Sequence, residues 1–452
     1  MSEHGAKRPA ARGGRAKVLG AGSLALVLVL AGCAKEPRLP GERIDTRAAA
    51  GVTTGGPVAS GARAVPIALP PMGTNADWPA RAGAPDHAPG HPSLRPEPQL
   101  IWSAGIGAAS AQRHRLVGDP VVGGGLVFAI DSEAQVTAVT PAGQVAWRSS
   151  AKPAGERSTG TGGGLAYAGG KVFVTTSYGE LVALDAASGG VVWRQKVDTG
   201  IGGAPTVSGG TVFVATRDGT GIAVRAADGR ELWTLRGAPA RAGVTGVSAP
   251  AVSGDTVVFP FTGGLLVAAD TNTGARRWVR SLAGKRLGMA YADVSDVAGD
   301  PVISGGTVYS GTTAGQLGAT ALASGQPAWS IAEGASAPVA VAGGSVFSVT
   351  DAGRLVRVNA ASGEVLWAVD LPYDVHTRRA KNRRDVVENH GPVLAGGRLF
   401  VASSDGYLRA FDPASGTMTA SVAIPGGAST GIAVAGNTAY VVSKNGQLLA
   451  FR

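Results

Sequence analysis

The sequence predicts an all-β protein, an eight-bladed β-propeller of four-stranded antiparallel blades that is closed by pairing of an N-terminal strand with the C-terminal blade. Three observations support this prediction. Short apolar segments with two-residue alternation recur between glycine-rich turns. No long segment has apolar residues at helical spacing. A marker position recurs every 38 to 53 residues, at Trp102, Trp147, Trp193, Trp233, Trp278, Trp329, Trp367 and finally Ala420.

The most regular copy of the repeat is GGKVFVTTSYGELVALDAASGGVVWRQKV, residues 169–197. It contains an apolar strand, a turn closed by Gly179, a second strand, a turn at residues 185–190 and a third strand through Trp193. One such unit is too small to bury a core alone, so its copies must pack on one another. A glycine precedes each marker from Trp147 onward by four residues, at Gly143, Gly189, Gly229, Gly274, Gly325, Gly363 and Gly416.

Seven complete units fit between Asp119 and Val422. An eighth unit begins near Thr430, but the sequence reaches Arg452 before the outer strand of this unit. Residues 99–105 supply a matching strand, because they carry the marker tryptophan without preceding strands of their own. Pairing this strand with the last unit leaves no unpaired edge inside the ring, which gives eight blades.

The marker tryptophans are expected to lie in one layer between neighbouring blades, where each buries about 150 to 250 Å². In several repeats the turn after the second strand carries a polar pair such as Asp185 and Ser188. These side chains are expected to accept backbone N–H groups, so their role is structural. Equivalent pairs are Asp270 and Thr273, Asn359 and Ser362, and Asp412 and Ser415.

The N-terminal segment indicates export. Its basic residues are followed by a 15-residue apolar run, residues 18–32, which is too short to span a membrane and is typical of a signal peptide. The run ends in Leu-Ala-Gly followed by Cys33, which resembles a bacterial lipobox. We therefore predict a lipoprotein signal peptide at 1–32 and lipidation, including palmitate, at Cys33, the single cysteine of the chain. The alternative is an ordinarily cleaved signal with an incidental cysteine.

The next segment, residues 33–97, is rich in Pro, Ala and Gly and is predicted to be a lipidated tether to a propeller at 98–452. Within it, Trp78 is a candidate apolar anchor on the propeller. His87 and His91 are four residues apart, but the surrounding prolines argue against the helix that would bring them to one metal ion. No metal site is predicted.

The formal net charge of +10 does not indicate nucleic-acid binding. The first 32 residues contribute +4 of it, and the remaining +6 is spread over some 420 residues. No basic patch is interleaved with aromatic side chains, so we expect no nucleic-acid partner.

The repeat pattern GxVFVxxxxGxLxALDxxSGxxxW resembles the quinoprotein-type propeller repeat over about four fifths of the chain. The lipobox, the tether beginning at residues 39–43 and the eight units resemble the BamB lipoproteins of the outer-membrane β-barrel assembly machinery, in their alphaproteobacterial form. Residue 34 is Ala rather than Asp, and the resemblance to known lipoproteins then favours sorting to the outer membrane over retention at the inner membrane. The resemblance implies a non-catalytic scaffold without cofactor, lipid-anchored in the outer membrane and facing the periplasm. Its implied partners are BamA, other machinery subunits and unfolded outer-membrane proteins.

Quinone (PQQ)-dependent dehydrogenases carry the same repeat and remain an alternative. They hold a quinone over Ca²⁺, and many stack it on a vicinal disulfide, which one cysteine cannot form. The innermost strands of this chain start with only two acids, Asp119 and Asp300, nearly opposite in the ring. An axial cation between them is conceivable, but capping of strand starts is the favoured interpretation. Serine hydrolase chemistry is unsupported, because none of the six histidines stands beside a Gly-x-Ser-x-Gly elbow. A propeller lipoprotein of another envelope complex is a third possibility.

The resemblance also implies partner-binding residues. BamB relatives contact BamA through a Leu-x-Leu-Arg-Gly loop and an Asp-Val-Asp segment. The first matches partly around Arg236, with Arg241 as the other candidate cation. The second matches partly at Asp296, with Asp300 nearby. A basic insertion, residues 371–390, is interpreted as a solvated loop, with docking of an acidic partner or anionic lipid as the alternative.

Overall fold

The computed structural model describes residues 64–111, 114–157, 160, 163–197, 199–237, 248–282, 297–373 and 386–452. Within these ranges the chain forms 32 strands and one 3₁₀ turn, Arg81–Gly83. The strands group into eight four-stranded antiparallel sheets, the blades of a propeller. The predicted fold class is confirmed. Among the described residues, no helix has the length and apolar character needed to cross a membrane.

The blades follow the chain, with four consecutive strands in each of the first seven. Blades 1 to 4 comprise β2 (Val121–Gly123), β3 (Leu126–Ile130), β4 (Gln135–Val139), β5 (Val145–Ser150); β6 (Gly163–Ala168), β7 (Lys171–Thr176), β8 (Glu180–Asp185), β9 (Val191–Lys196); β10 (Thr206–Ser208), β11 (Thr211–Ala215), β12 (Thr220–Arg225), β13 (Glu231–Arg236); and β14 (Ala251–Ser253), β15 (Thr256–Phe261), β16 (Leu265–Asp270), β17 (Arg276–Ser281). Blades 5 to 8 comprise β18 (Val297–Ser304), β19 (Thr307–Thr312), β20 (Gln316–Ala321), β21 (Pro327–Ile331); β22 (Ala340–Ala342), β23 (Ser345–Val349), β24 (Arg354–Asn359), β25 (Val365–Asp370); β26 (Asn389–Ala395), β27 (Arg398–Ser403), β28 (Tyr407–Phe411), β29 (Met418–Ala423); and β30 (Ala433–Ala435), β31 (Thr438–Val442), β32 (Gln447–Phe451) with β1 (Leu100–Gly105).

The ring closes in blade 8, where β1 from the N-terminal side pairs antiparallel with β32. Gln99 and Arg452 extend this pairing, because each N–H donates to the other's carbonyl at 2.8 and 2.9 Å. The predicted closure is confirmed. Such pairing satisfies backbone groups that an open ring would leave exposed.

The ring has two faces. Strands within a blade are named A to D from the axis to the rim, and successive strands are antiparallel. The A–B and C–D turns therefore lie on one face, which we call the A–B face. The B–C turns and the D–A connections lie on the other, which we call the D–A face.

Each tryptophan of the series joins its blade to the next one. Its Nε1–H donates to a carbonyl in the C–D turn of the following blade, at 2.7 to 3.3 Å: Trp102 to Pro141, Trp147 to Ala186, Trp193 to Ala226, Trp233 to Thr271, Trp278 to Leu322, Trp329 to Ala360 and Trp367 to Pro413. The apolar clusters combine residues of adjacent blades, so the core lies between blades. The predicted tryptophan layer is confirmed.

The C–D turns have the predicted structural chemistry. In blade 2, Asp185 Oδ1 accepts the Ser188 N–H at 2.9 Å and the Ser188 hydroxyl at 2.7 Å. These hydrogen bonds lower the pKa of Asp185.

Ala420 interrupts the tryptophan series for a reason that the closure supplies. A tryptophan here would belong to blade 7 and would need the C–D turn of blade 8 as its partner. In blade 8 strands C and D are β32 and β1, and they are joined by no turn, because β1 comes from the other end of the ring. The packing partner of the side chain is missing, so a small residue suffices.

The C–D glycines meet the tryptophan rings closely. Gly189 has φ +73°, and a Cβ there would lie 2.6 Å from the Trp147 ring. Gly170, in the A–B turn of the same blade, has φ +74° and open space around it. We expect Gly170→Ala to cost about 1 to 2 kcal/mol from backbone strain alone, and Gly189→Ala to cost a further 1 to 3 kcal/mol, roughly, from overpacking. Thermal denaturation of the two variants measures the difference, and equal stabilities would contradict the close-packing argument.

Candidate functional site

Residues 64–97, which we call the strap, lie on the A–B face and pass from blade to blade around the axis. Backbone hydrogen bonds connect the strap to several blades. The strap residue Val65 donates its N–H to Ala414 O in blade 7. In five further hydrogen bonds a ring N–H donates to a strap carbonyl: Gly436 of blade 8 to Asn75, Tyr167 of blade 2 to Pro79, Val252 of blade 4 to Pro85, Ile303 of blade 5 to Asp86 and Gly396 of blade 7 to Pro92. This part of the predicted tether therefore covers one end of the ring axis.

Arg357 holds the start of the strap. This β24 side chain is 2% exposed. Its Nη1 donates to Val65 O at 2.6 Å and its Nη2 to Pro66 O at 3.1 Å, while Nε donates to Ser345 Oγ. Burial lowers the pKa of Arg357. A buried guanidinium bound to several carbonyls fixes the first strap residues on blade 6.

Trp78 fixes the strap to blade 1. Its side chain is 1% exposed, and its backbone exchanges two hydrogen bonds with Val122 of β2, at 2.8 and 2.9 Å. The ring packs against Gly83, where a Cβ would lie 2.8 Å from it. The prediction that Trp78 anchors this segment on the propeller is confirmed.

Arg81, Asp119 and Asp300, which we call the axial cluster, meet at the centre of the ring. Arg81 Nε lies 3.2 Å from Oδ2 of Asp119 in blade 1 and 3.2 Å from Oδ2 of Asp300 in blade 5. The exposed side-chain fractions are 22%, 16% and 0% respectively. Burial opposes the charge on Arg81, but Asp300 and Asp119 outweigh it and raise its pKa. One cation from the strap thus bridges carboxylates on opposite blades.

Two expectations for the acids need correction. Asp119 and Asp300 do not merely cap strand starts, because both bind Arg81; Asp119 also accepts the Gly431 N–H of blade 8 at 2.6 Å. Asp300 does not lie on an exposed partner-binding loop. It lies within β18, fully buried and directed at the axis, since this strand begins earlier than the repeat pattern suggests.

Two histidines, the buried His87 and the half-buried His390, lie beside the axial cluster. His87 is 1% exposed and its Nδ1–H donates to Pro301 O at 2.8 Å, so that Nε2 is the acceptor nitrogen of the neutral ring. Within the described part of the chain, the Nε2 atoms of His87 and His390 are buried without a hydrogen-bond partner. Burial lowers the pKa of both rings. His91 is different, because it donates to Pro70 O and accepts the Gly397 N–H.

Strap docking should weaken in mild acid because of His87. Burial keeps this ring neutral when the strap is docked, against the attraction of Asp300 and Asp86, whereas an undocked His87 titrates near 6.5. The stabilisation is therefore complete above pH 6.5 and is lost as the pH falls from 6.5 towards the lowered pKa of the docked state, by at most about 1.4 kcal/mol per pH unit. Hydrogen exchange of the strap from pH 7.5 to 5.5 measures this loss. His87→Asn should flatten the profile, and an unchanged profile would exclude His87 as its source.

A central cavity of about 1520 Å³ lies above the strap. Strap residues Trp78, Arg81 and His87 line one end of it. Its walls are the starts of the A strands, and at the D–A face it is lined by residues that include Gly202, Ser336, Pro372, Asp405 and Lys444. The strap therefore forms the floor of this cavity.

The structure describes only one of the other predicted site residues, Arg236. Arg236 is exposed at the end of β13, on the D–A face. Cys33, Arg241 and Asp296 lie outside the described residues, as do 374–385 of the basic insertion. Their predicted roles remain predictions.

The described residues show little catalytic chemistry. They contain no group of three or more His, Cys, Asp or Glu side chains that could hold a metal ion. Ser132 Oγ lies 3.0 Å from His114 Nδ1, but the hydroxyl donates to Ala109 O at 2.8 Å. The ring is therefore not placed to accept the hydroxyl proton, as a general base would. What the arrangement does is hold an extended chain and one guanidinium.

The fold and the site together define the protein class: an eight-bladed β-propeller with tryptophan-joined blades and a strap across its axis. A family model described as outer membrane protein assembly factor BamB matches residues 132–369 and 352–452. These matches cover more than half of the chain, and the protein belongs to this family. Curated protein sequences gave no significant match.

Solved structures with the same fold include both groups that the repeat suggested. BamB from Moraxella catarrhalis is 20% identical with a TM-score of 0.64, covering 78% of this chain and 99% of its own. Quinohemoprotein alcohol dehydrogenase from Comamonas testosteroni is 16% identical with a TM-score of 0.64, covering 83% and 80%. A europium-containing methanol dehydrogenase is 15% identical with a TM-score of 0.60, covering 81% and 89%. At such identities the likeness concerns the fold alone.

Proposed function

We propose that this chain is a non-catalytic scaffold lipoprotein of the outer-membrane β-barrel assembly machinery. In this role it is anchored through a lipid on Cys33, faces the periplasm, binds BamA and other machinery subunits, and assists insertion of outer-membrane proteins. The family match carries the proposal. The lipobox ending at Cys33, after a signal peptide at 1–32, supports the localisation.

The axial cluster supports a scaffold over the alternative, a quinone-dependent dehydrogenase. That chemistry needs carboxylates free to coordinate a cation beneath a quinone. Here the two axial carboxylates are already bound by Arg81, and Asp300 is fully buried behind it. The described residues therefore do not fit the quinone and its Ca²⁺. Dye reduction on simple alcohols or sugars after adding quinone and Ca²⁺ would favour the dehydrogenase.

The D–A face is the proposed docking surface for BamA. Arg236 is exposed there at the end of β13. β18 begins at the same face with Val297, the residue that follows Asp296 in the sequence. A rigid ring can present such residues on several adjacent blades to one partner domain.

Affinity purification of the tagged chain from detergent-solubilised outer membranes tests the proposal. BamA is expected to co-purify with the folded, lipidated chain, and its absence would reject the role. Recovery of a different envelope complex would support the third possibility, a propeller lipoprotein of that complex.

Substitution on the D–A face should weaken this capture without unfolding the ring. We expect Arg236→Ala combined with Asp296→Ala to lower BamA recovery severalfold, because the double substitution removes both charges that we propose to contact the partner. Arg230→Ala is the matched control, since Arg230 is exposed in the same blade but in the C–D turn on the other face. Equal recovery from both variants would show that the proposed face is wrong.

A further inference from the structure

The strap binds the ring as an extended peptide would. Its carbonyl groups accept hydrogen bonds from N–H groups on the free inner edges of the blades, namely those of Val122, Tyr167, Val252 and Ile303 in four different A strands. Hydrogen bonds of this kind involve the backbone and tolerate many sequences. The inner edges on the A–B face are therefore suited to other extended chains.

The axial cluster adds a side-chain requirement. Asp119 and Asp300 belong to the ring, and Arg81 belongs to the strap. The two carboxylates are close enough to share one cation, and their charges repel each other without it. A guanidinium is planar and always charged, so a basic side chain of this shape is well suited to the pair.

The docked strap leaves part of the site unsatisfied. His87 Nε2, Asn75 Oδ1 and Asp300 Oδ1 are buried without hydrogen-bond partners among the described residues. Each such atom costs about 1 to 3 kcal/mol. The contact between Arg81 and Asp119 also borders the central cavity, so a competing cation has access to it. Both features make the strap a replaceable occupant.

We propose that the A-strand edges and the Asp119–Asp300 pair form a peptide-binding site, which the strap occupies in cis. When the strap leaves, an extended segment of another polypeptide with a basic side chain at the axis takes its place. The A-strand edges that the strap occupies lie towards the A–B face, whereas Arg236 lies on the D–A face, so this site is distinct from the docking surface proposed for BamA.

A labelled peptide tests this site in the full chain. The probe is a fluorescein-labelled synthetic peptide of residues 64–97. The competing strap is weakened by Trp78→Ala, which removes a strap side chain and leaves the ring side of the site unchanged. The apparent affinity rises with the fraction of chains whose site is open. The probe should therefore bind the Trp78→Ala chain at least tenfold more tightly than the wild-type chain.

Peptide variants test the role of the axial pair. A peptide with Arg81→Gln should bind the Trp78→Ala chain at least tenfold more weakly than the original peptide. A peptide with Arg95→Gln is the matched control. This substitution removes the same charge as Arg81→Gln, but Arg95 is exposed in the docked strap. Equal binding of the Arg81→Gln peptide, or no binding of the original peptide to a folded Trp78→Ala chain, would overturn the proposal.

Hydrogen exchange of the wild-type chain gives a second measurement, which remains decisive if the Trp78→Ala chain does not fold. The Val122 amide donates to Trp78 O and is protected by the strap, whereas the amides of β3 are protected by the blade. If the strap leaves on its own, Val122 should exchange at least tenfold faster than β3. Equal exchange would mean that the strap leaves only when the ring unfolds, which would overturn the proposal.

Discussion

Arg81→Gln is expected to weaken docking of the strap by about 3 to 5 kcal/mol. The substitution removes the only charge partner that the described residues give to the buried Asp300 carboxylate, which is 0% exposed. The carboxylate then remains desolvated and uncompensated. Hydrogen exchange of the strap amides measures the loss, and their exchange should accelerate by about 10² to 10⁴ at neutral pH.

A second substitution separates the ion pair from the loss of arginine packing. Arg81→Gln combined with Asp300→Asn should recover part of the stability, because two neutral amides leave no buried charge unpaired. Arg95→Gln, on the exposed side of the strap, should change the exchange little. If Arg81→Gln behaved like Arg95→Gln, the axial cluster would have no stabilising role.

The ring could be predicted from sequence because its causes are local and repeated. Six blades carry both the turn glycine and the marker tryptophan, so six copies of the pattern indicate one packing arrangement. The closing strand was also predictable, since Trp102 is in register without preceding strands. Even the exception at Ala420 follows from closure once the partner turn is known to be missing.

The axial cluster could not be predicted in the same way, because it depends on one contact between distant parts of the chain. Arg81 is a single arginine in a Pro-, Ala- and Gly-rich segment, with no periodicity to place it. The available signal was on the ring side, where Asp119 and Asp300 stand in opposite blades and require a cation. The contact between Arg357 and the strap was even harder to predict. Its strap partners are backbone carbonyls, which every residue has, so no residue type in the strap indicates the contact.

Trp367→Ala is expected to destabilise the ring by about 3 to 5 kcal/mol, the usual cost of removing a large buried aromatic side chain. Trp367 is 0% exposed, and its ring lies 6.0 Å from that of Phe347. The expected decrease in melting temperature is about 4 to 6 °C for a domain of this size. Trp367→Phe should cost less, because it keeps the aromatic contact and loses mainly the hydrogen bond to Pro413.

The effect of Trp367 should extend beyond the interface of blades 6 and 7. The Pro413 carbonyl that accepts its Nε1–H also lies 3.5 Å from Nη1 of Arg357, and Arg357 binds the start of the strap. Loss of the tryptophan should therefore accelerate hydrogen exchange at Val65 as well as in blade 7. The reciprocal change, Ala420→Trp, should give no stabilisation, since blade 8 has no C–D turn to receive the ring. A rise in melting temperature for Ala420→Trp would contradict the argument that each tryptophan acts through the turn of the following blade.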